Sequence, residues 1–192
     1  MKKFFLLAIF PLLLAGCAGS SANVSLQQQM RNPLFAERYW EEMVDRMASL
    51  QINKDPAAQQ KQTGSLVDAA RLDALQKAQA ATNQKKQGAL GSFLSAKEQV
   101  DGQALLLGKT LYLSTDFVSY PGPSLHLYIT AAVDPRDHAF PDPNAKDLGL
   151  LASPYGAQSY AIDDDMQAAG YRTVVLWDTQ IKRLYAFAQL AK

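Results

Sequence analysis

The sequence predicts an α+β protein, with an N-terminal helical hairpin followed by an all-β sandwich- or barrel-like domain. Two observations predict it. Apolar residues recur at three- and four-residue spacing from Asn32 to about Gln87, the period of helices with one buried face. From about Asp101 the pattern changes to short β-branched and aromatic runs separated by Gly, Pro and Asp, as in several short strands joined by turns.

Ahead of both lies a leader. Met1-Lys2-Lys3 is a basic start, Phe4–Leu14 is apolar, and Leu14-Ala15-Gly16-Cys17 closes it with small residues. That describes a secretory signal over residues 1–16, and the run is too short for a membrane span of about 20 residues. Leu-Ala-Gly-Cys resembles the lipobox of bacterial lipoproteins. The resemblance implies export, cleavage before Cys17 and lipid on its thiol. Two or more acyl chains hold a protein stably on a bilayer, at about 0.8 kcal/mol per buried methylene. The expected location is therefore a bacterial membrane, facing away from the cytoplasm.

Removing the leader takes two lysines with it and leaves 17 basic against 18 acidic residues. Such a balance creates no field for nucleic acid. Cys17 is the single cysteine, so lipid would consume the chain's only thiol. The folded part then has no disulfide and no redox thiol. Residues 17–31 are small and polar and read as a lipidated, flexible tether with a reach of roughly 20 Å.

Residues 32–92 are assigned to the helical hairpin. Asn32-Pro33 is a cap residue followed by proline at the first helical position. Phe35, Tyr39, Trp40, Met43, Val44, Met47 and Leu50 form the apolar stripe of the first helix. Core packing is the simpler reading of that stripe, and a surface for an envelope partner is the alternative. Arg38–Glu42 and Glu42–Arg46 are i,i+4 opposite-charge pairs. Asp55-Pro56 repeats the cap signal and opens a second helix to about Gln87, with a thin line of Leu66, Val67, Ala70, Ala74, Ala78 and Ala81. Gly88 and Gly91 are expected to break it.

Residues 101–192 are assigned to the β domain. Gln103–Leu107 and Thr110–Ser114 flank Gly108-Lys109, a hairpin turn. Leu125, Leu127 and Ile129 alternate with His126, Tyr128 and Thr130. Further strands are predicted at 148–151, 158–162, 172–177 and 184–190. The run Val174-Val175-Leu176-Trp177 reads as a strand buried on both faces, with Trp177 in the core.

These β residues carry a second resemblance. Thr115-Asp116-Phe117 and Tyr120-Pro121-Gly122-Pro123-Ser124-Leu125-His126-Leu127-Tyr128 come first. Asp147-Leu148-Gly149-Leu150-Leu151 and Tyr155-Gly156-Ala157-Gln158-Ser159-Tyr160 follow. Tyr171-Arg172-Thr173-Val174-Val175-Leu176-Trp177 and Ala186-Phe187-Ala188-Gln189-Leu190 complete the series. Together they resemble the DM-thirteen, or electron-transfer DM, domain over about residues 101–192. The resemblance implies an exported domain with a proposed redox role, resting on a cysteine after the strand's tryptophan. Here that position is Asp178, and a carboxylate cannot cycle through disulfide or sulfenate.

No hydrolase, zinc-protease or nucleotide-binding motif is present, so an enzyme is not expected. No cofactor is expected outright, and two candidates remain. His126 could serve as an axial haem ligand, with a hydrogen-bonded strand histidine as the simpler reading. Asp134, Asp137 and Asp142, with Asn144 and Asp147, crowd one Pro-rich loop whose oxygens could hold Ca2+, although Asp and Asn also serve as turn residues. His138 shares that loop, and Asp163-Asp164-Asp165 reads as a solvated turn. Tyr120 and Tyr155, beside Gly/Pro turns, are the candidate surface aromatics for ligand stacking, with Tyr128 beside His126. The expected function is non-enzymatic binding at the cell envelope. The alternatives are a redox component associated with haem or metal, and a structural spacer or assembly factor.

Overall fold

A computed structural model of the protein describes residues 25–137, 139–163 and 170–192. The signal segment, Cys17 and most of the predicted tether lie outside the described residues, as do His138, Asp164 and Asp165.

Part of the segment read as tether is helical. Leu26–Gln29 form a helical turn, α1. Ser25 Oγ accepts the N–H of Gln28, and the Gln28 amide oxygen accepts the N–H of Ser25. The polar residues read as flexible linker are thus a capping box. Helix α2 (Pro33–Ile52) starts where predicted. Asn32 Oδ1 accepts from the N–H of Leu34 at 3.0 Å, while its Nδ2 donates to the Leu113 carbonyl at 2.8 Å. One buried cap residue therefore ties the hairpin to the β domain.

The second predicted helix is two. α3 (Pro56–Gln59) stops at Gln60, whose extended backbone precedes α4 (Lys61–Lys85). α4 packs along α2 through Val67, Ala74, Ala78 and Ala81, while Leu66 is 68% exposed and Ala70 faces solvent. Alanine spacing fixes the contact line, and Leu66 falls to one side of it. The α2 stripe from Phe35 to Leu50 is half-buried, because one narrow alanine face cannot cover it. Arg38–Glu42 forms as predicted, at 2.9 Å, and Asp73–Lys77 is another i,i+4 pair, at 2.7 Å, with Lys77 also lying over the Trp40 ring.

Helix α4 ends at Lys85 and Gly88 lies in the turn that follows, as expected, but Gly91 is already within a strand. The two glycines flank the start of strand β1 (Ala89–Ser95), so the β domain begins inside the segment assigned to the hairpin. The reason is non-local: β1 pairs with a strand at each side. The remaining strands are β2 (Val100–Asp101), β3 (Gln103–Leu107), β4 (Thr110–Leu113), β5 (Val118–Ser119), β6 (Leu125–Thr130), β7 (Lys146–Leu150), β8 (Gln158–Ala161), β9 (Thr173–Asp178) and β10 (Arg183–Gln189). Eight of them form one antiparallel, nearly closed barrel-like sheet in the order β7-β6-β9-β10-β1-β3-β4-β8, and β2–β5 form a separate two-stranded ribbon. Gly108, at φ +56°, supplies the β3–β4 hairpin turn.

The barrel interior is filled by Leu111, Leu113, Phe117, Leu127, Ile129, Val174 and Leu176, among others. The predicted alternation of β6 holds for Leu125, Leu127 and Ile129 inward and His126 and Tyr128 outward. β9 also alternates. Val174 and Leu176 face the interior, whereas Val175 and Trp177 face a second, outer cluster with Tyr128, Phe187, Phe140 and Ala145. Trp177 is therefore not in the barrel core. It lies half-buried on the outer wall, under the loop between β6 and β7.

Candidate functional site

Asp178 ends β9 and is fully buried. Its Oδ1 accepts the N–H groups of Gln180 and Ile181 at 3.0 and 3.1 Å, and its Oδ2 accepts that of Ser124 at 3.1 Å. The carboxylate thus satisfies the turn into β10 and fastens it to the segment before β6. Gly122 lies close against this cap: a Cβ there would sit 2.4 Å from Asp178 Oδ2 and 2.8 Å from the Tyr185 hydroxyl. Asp178 is thus a buried cap.

The outer wall of β6, β9 and β10 carries the larger assembly. His126 Nδ1 lies 2.8 Å from Asp147 Oδ2 and 3.1 Å from Oδ1, and Oδ1 also accepts the N–H of Gly149. A carboxylate can only accept, so facing Asp147 orients the His126 ring with Nδ1–H as the donor. Tyr128 lies beside the His126 ring and edge-on to Phe140, and Phe140 tilts against Trp177 at 5.2 Å. Arg136 stacks over buried Phe187 at 4.9 Å and pairs with Asp134, which the guanidinium holds below the ordinary carboxylate range. Phe140 and Trp177 form the floor of a groove of about 760 Å³. Lys97, Arg136, Lys182 and Arg183 stand around it, with Arg183 paired to Glu98 at 2.6 Å.

The acidic loop does not converge on a cation. Asp134 is held by Arg136, and Asp142 accepts from the Thr130 hydroxyl and the Asn144 N–H. Asp147 belongs to His126, and Asp137 donates its N–H to the Asp134 carbonyl. Among the described residues no three His, Cys, Asp or Glu side chains lie close enough to share a metal ion. In the fold Asp134, Asp142 and Asp147 act as turn and pairing residues.

Tyr120 and Tyr155 are exposed, as expected, and the fold brings them together. Both line a pocket of about 180 Å³ with Gln99, Asp101, Val118 and Ser119. Sequence reasoning missed Arg136, Phe140 and the outward face of Trp177. The signal was the register of β9 against β6, which pairs Trp177 with His126, a residue already placed on the outer face.

Three phenols titrate late. Burial raises Tyr160, partly offset by the N–H it receives from Ala152. Burial raises Tyr128, helped by the Asp147 charge, and Tyr185, helped by the Asp178 and Glu98 charges and opposed by Arg183. A phenol held above its ordinary value contributes its stability in full below about pH 10, and that contribution is lost as pH rises through the raised values. Absorbance at 295 nm should show two phases among the eight tyrosines, the later one coinciding with loss of fold by circular dichroism. A single phase at the ordinary value would contradict the burial described.

A family model described as electron transfer DM13 matches residues 92–190, just over half of the chain and nearly all of the β domain. No curated protein and no solved structure matches the chain. The match runs from within β1 to the end of β10 and so covers Phe117, Leu125 and Trp177. The chain belongs to the electron transfer DM13 family.

Proposed function

We propose that the chain is a non-enzymatic binding module, tethered by lipid on Cys17 to the outer side of a bacterial membrane, that takes an aromatic or amphiphilic anion in the groove at Trp177. One observation carries this reading: Phe140 and Trp177 line a groove outside the barrel core together with Lys97 and Lys182, and with Arg136 and Arg183, which are paired to Asp134 and Glu98. Aromatic surface placed there gives up core burial, and a concave aromatic site with a few charged groups is how small ligands are held. The envelope location rests on the lipobox-like Leu14-Ala15-Gly16-Cys17 and on the charge balance, which draws nothing toward nucleic acid.

The test uses the full-length protein. It should fractionate with membranes, and Cys17→Ser should release it to the soluble fraction. Anilinonaphthalene sulfonate, a planar aromatic anion, should bind the purified protein, and Trp177→Ala should weaken that binding about tenfold, the effect of losing roughly 1.4 kcal/mol of contact. Equal binding by the variant would place the ligand elsewhere.

Electron transfer is the second reading, favoured by the family and by Asp147, which orients the His126 ring as carboxylates orient ligating histidines. It cannot run through a thiol at position 178. A Soret band, or a metal-sized excess in native mass that His126→Ala removes, would support it over the first.

A further inference from the structure

We propose that the outer face of the β2–β5 ribbon binds a quaternary ammonium group. The site follows from the pairing. Val100 faces Ser119 and Asp101 faces Val118 across the ribbon. Val100 and Ser119 are each 1% exposed, so this pair points inward. Successive residues alternate in a strand. Asp101 and Val118 therefore point outward, and the same alternation puts Gln99 and Tyr120 beside them. Tyr155 joins from the other side through an isolated bridge to Val118.

The rings stand on a fixed base. The Ser119 N–H donates to the Pro154 carbonyl, the Gly156 N–H to that of Phe117, and the Tyr155 N–H to Ser153 Oγ. Tyr120 is followed by Pro121, which restricts the chain. Tyr120 and Tyr155 are nonetheless 57% and 60% exposed. Exposed aromatics on a fixed backbone lose little freedom on binding, which makes them effective anchors.

The charge selects the ligand. Asp101 is the one ionised side chain of this pocket, and Gln99 Nε2 donates to its Oδ2 at 3.3 Å. A carboxylate sharing a pocket with two tyrosine rings attracts a cation, and the quadrupole of a ring beneath the cation adds to it. A primary ammonium is strongly hydrated and demands acceptors for three N–H groups. A quaternary ammonium presents methyl groups instead, and Val118, 43% exposed, offers them an apolar surface. A neutral sugar would draw nothing from the charge of Asp101. Free betaine-like solutes and choline headgroups of lipids share this chemistry. β2 leads through Gly102 into the start of β3, and β5 follows the end of β4, which pairs with that start, so the ribbon lies at the end of the sheet where the Leu113 carbonyl receives Asn32.

The proposal is independent of the groove at Trp177 and is tested with a different ligand. Tetramethylammonium should show saturation-transfer signals with the full-length protein. Tyr155→Ala and Asp101→Asn should each weaken binding about tenfold, the scale of a cation–π contact. Displacement by glycerophosphocholine would identify a lipid headgroup as the source, and displacement by glycine betaine alone a solute. No saturation, equal binding of ammonium ion, binding unchanged in both variants, or a neutral hexose binding in place of the cation would each overturn the proposal.

Discussion

Alanine in place of Asp178 is expected to lower the stability of the β domain by about 3–5 kcal/mol. The side chain is fully buried and serves three backbone N–H donors, those of Ser124, Gln180 and Ile181. Each orphaned buried donor costs about 1–3 kcal/mol, and some relief comes as the turn opens to water. Asp178→Asn keeps one carbonyl oxygen and should cost about 1–2 kcal/mol. Asp178→Cys should resemble alanine, because sulfur is a weak acceptor. Urea denaturation of the three variants gives the ranking directly. Near-equality of alanine and wild type would mean that the carboxylate does not hold the turn.

Valine in place of Gly91 is expected to cost about 3 kcal/mol or more, on the scale of overpacking a filled site. A Cβ at Gly91 would lie 2.2 Å from the Gln189 carbonyl oxygen and 2.7 Å from its carbon. Both are backbone atoms of β10, so no rotamer change relieves the contact. Either β1 and β10 part or β1 bends. Gly108→Asn is the contrast. A Cβ added at Gly108 would meet nothing within 4 Å, and its left-handed conformation is one that asparagine tolerates, so a loss within about 1 kcal/mol is expected. Thermal melts followed by circular dichroism separate the two, and a Gly91→Val protein melting with wild type would contradict the strand contact.

What could be read from the residues was local. Asn32-Pro33 announces the start of α2, and Gly108-Lys109 announces the β3–β4 turn, because caps and turns depend on a few adjacent side chains. β1 was hidden for the opposite reason. Its glycines look like helix breakers, and only pairing with β3 and β10 makes Ala89–Ser95 a strand. Trp177 sits in an apolar run that is indeed covered on both faces. The second cover is an irregular loop docked by Phe140 and Arg136, and no periodicity marks such docking. Tyr120 and Tyr155 were legible as surface aromatics. Their meeting depends on the bridge from Val118 to Tyr155, which no spacing encodes.

The pairing of β1 with β10 also sets the order in which the domain can be completed. Phe93 and Ala188 face each other although nearly the whole β domain separates them in the chain. β10 in turn sits between β9 and β1. Until β10 emerges during synthesis, those two neighbours present open edges that can join strands of other chains. Contacts of such long range form slowly, so that interval is not brief. A chain interrupted before Arg183 is then not a slightly weakened barrel. It is a sheet split in two, and aggregation rather than partial function is its natural fate.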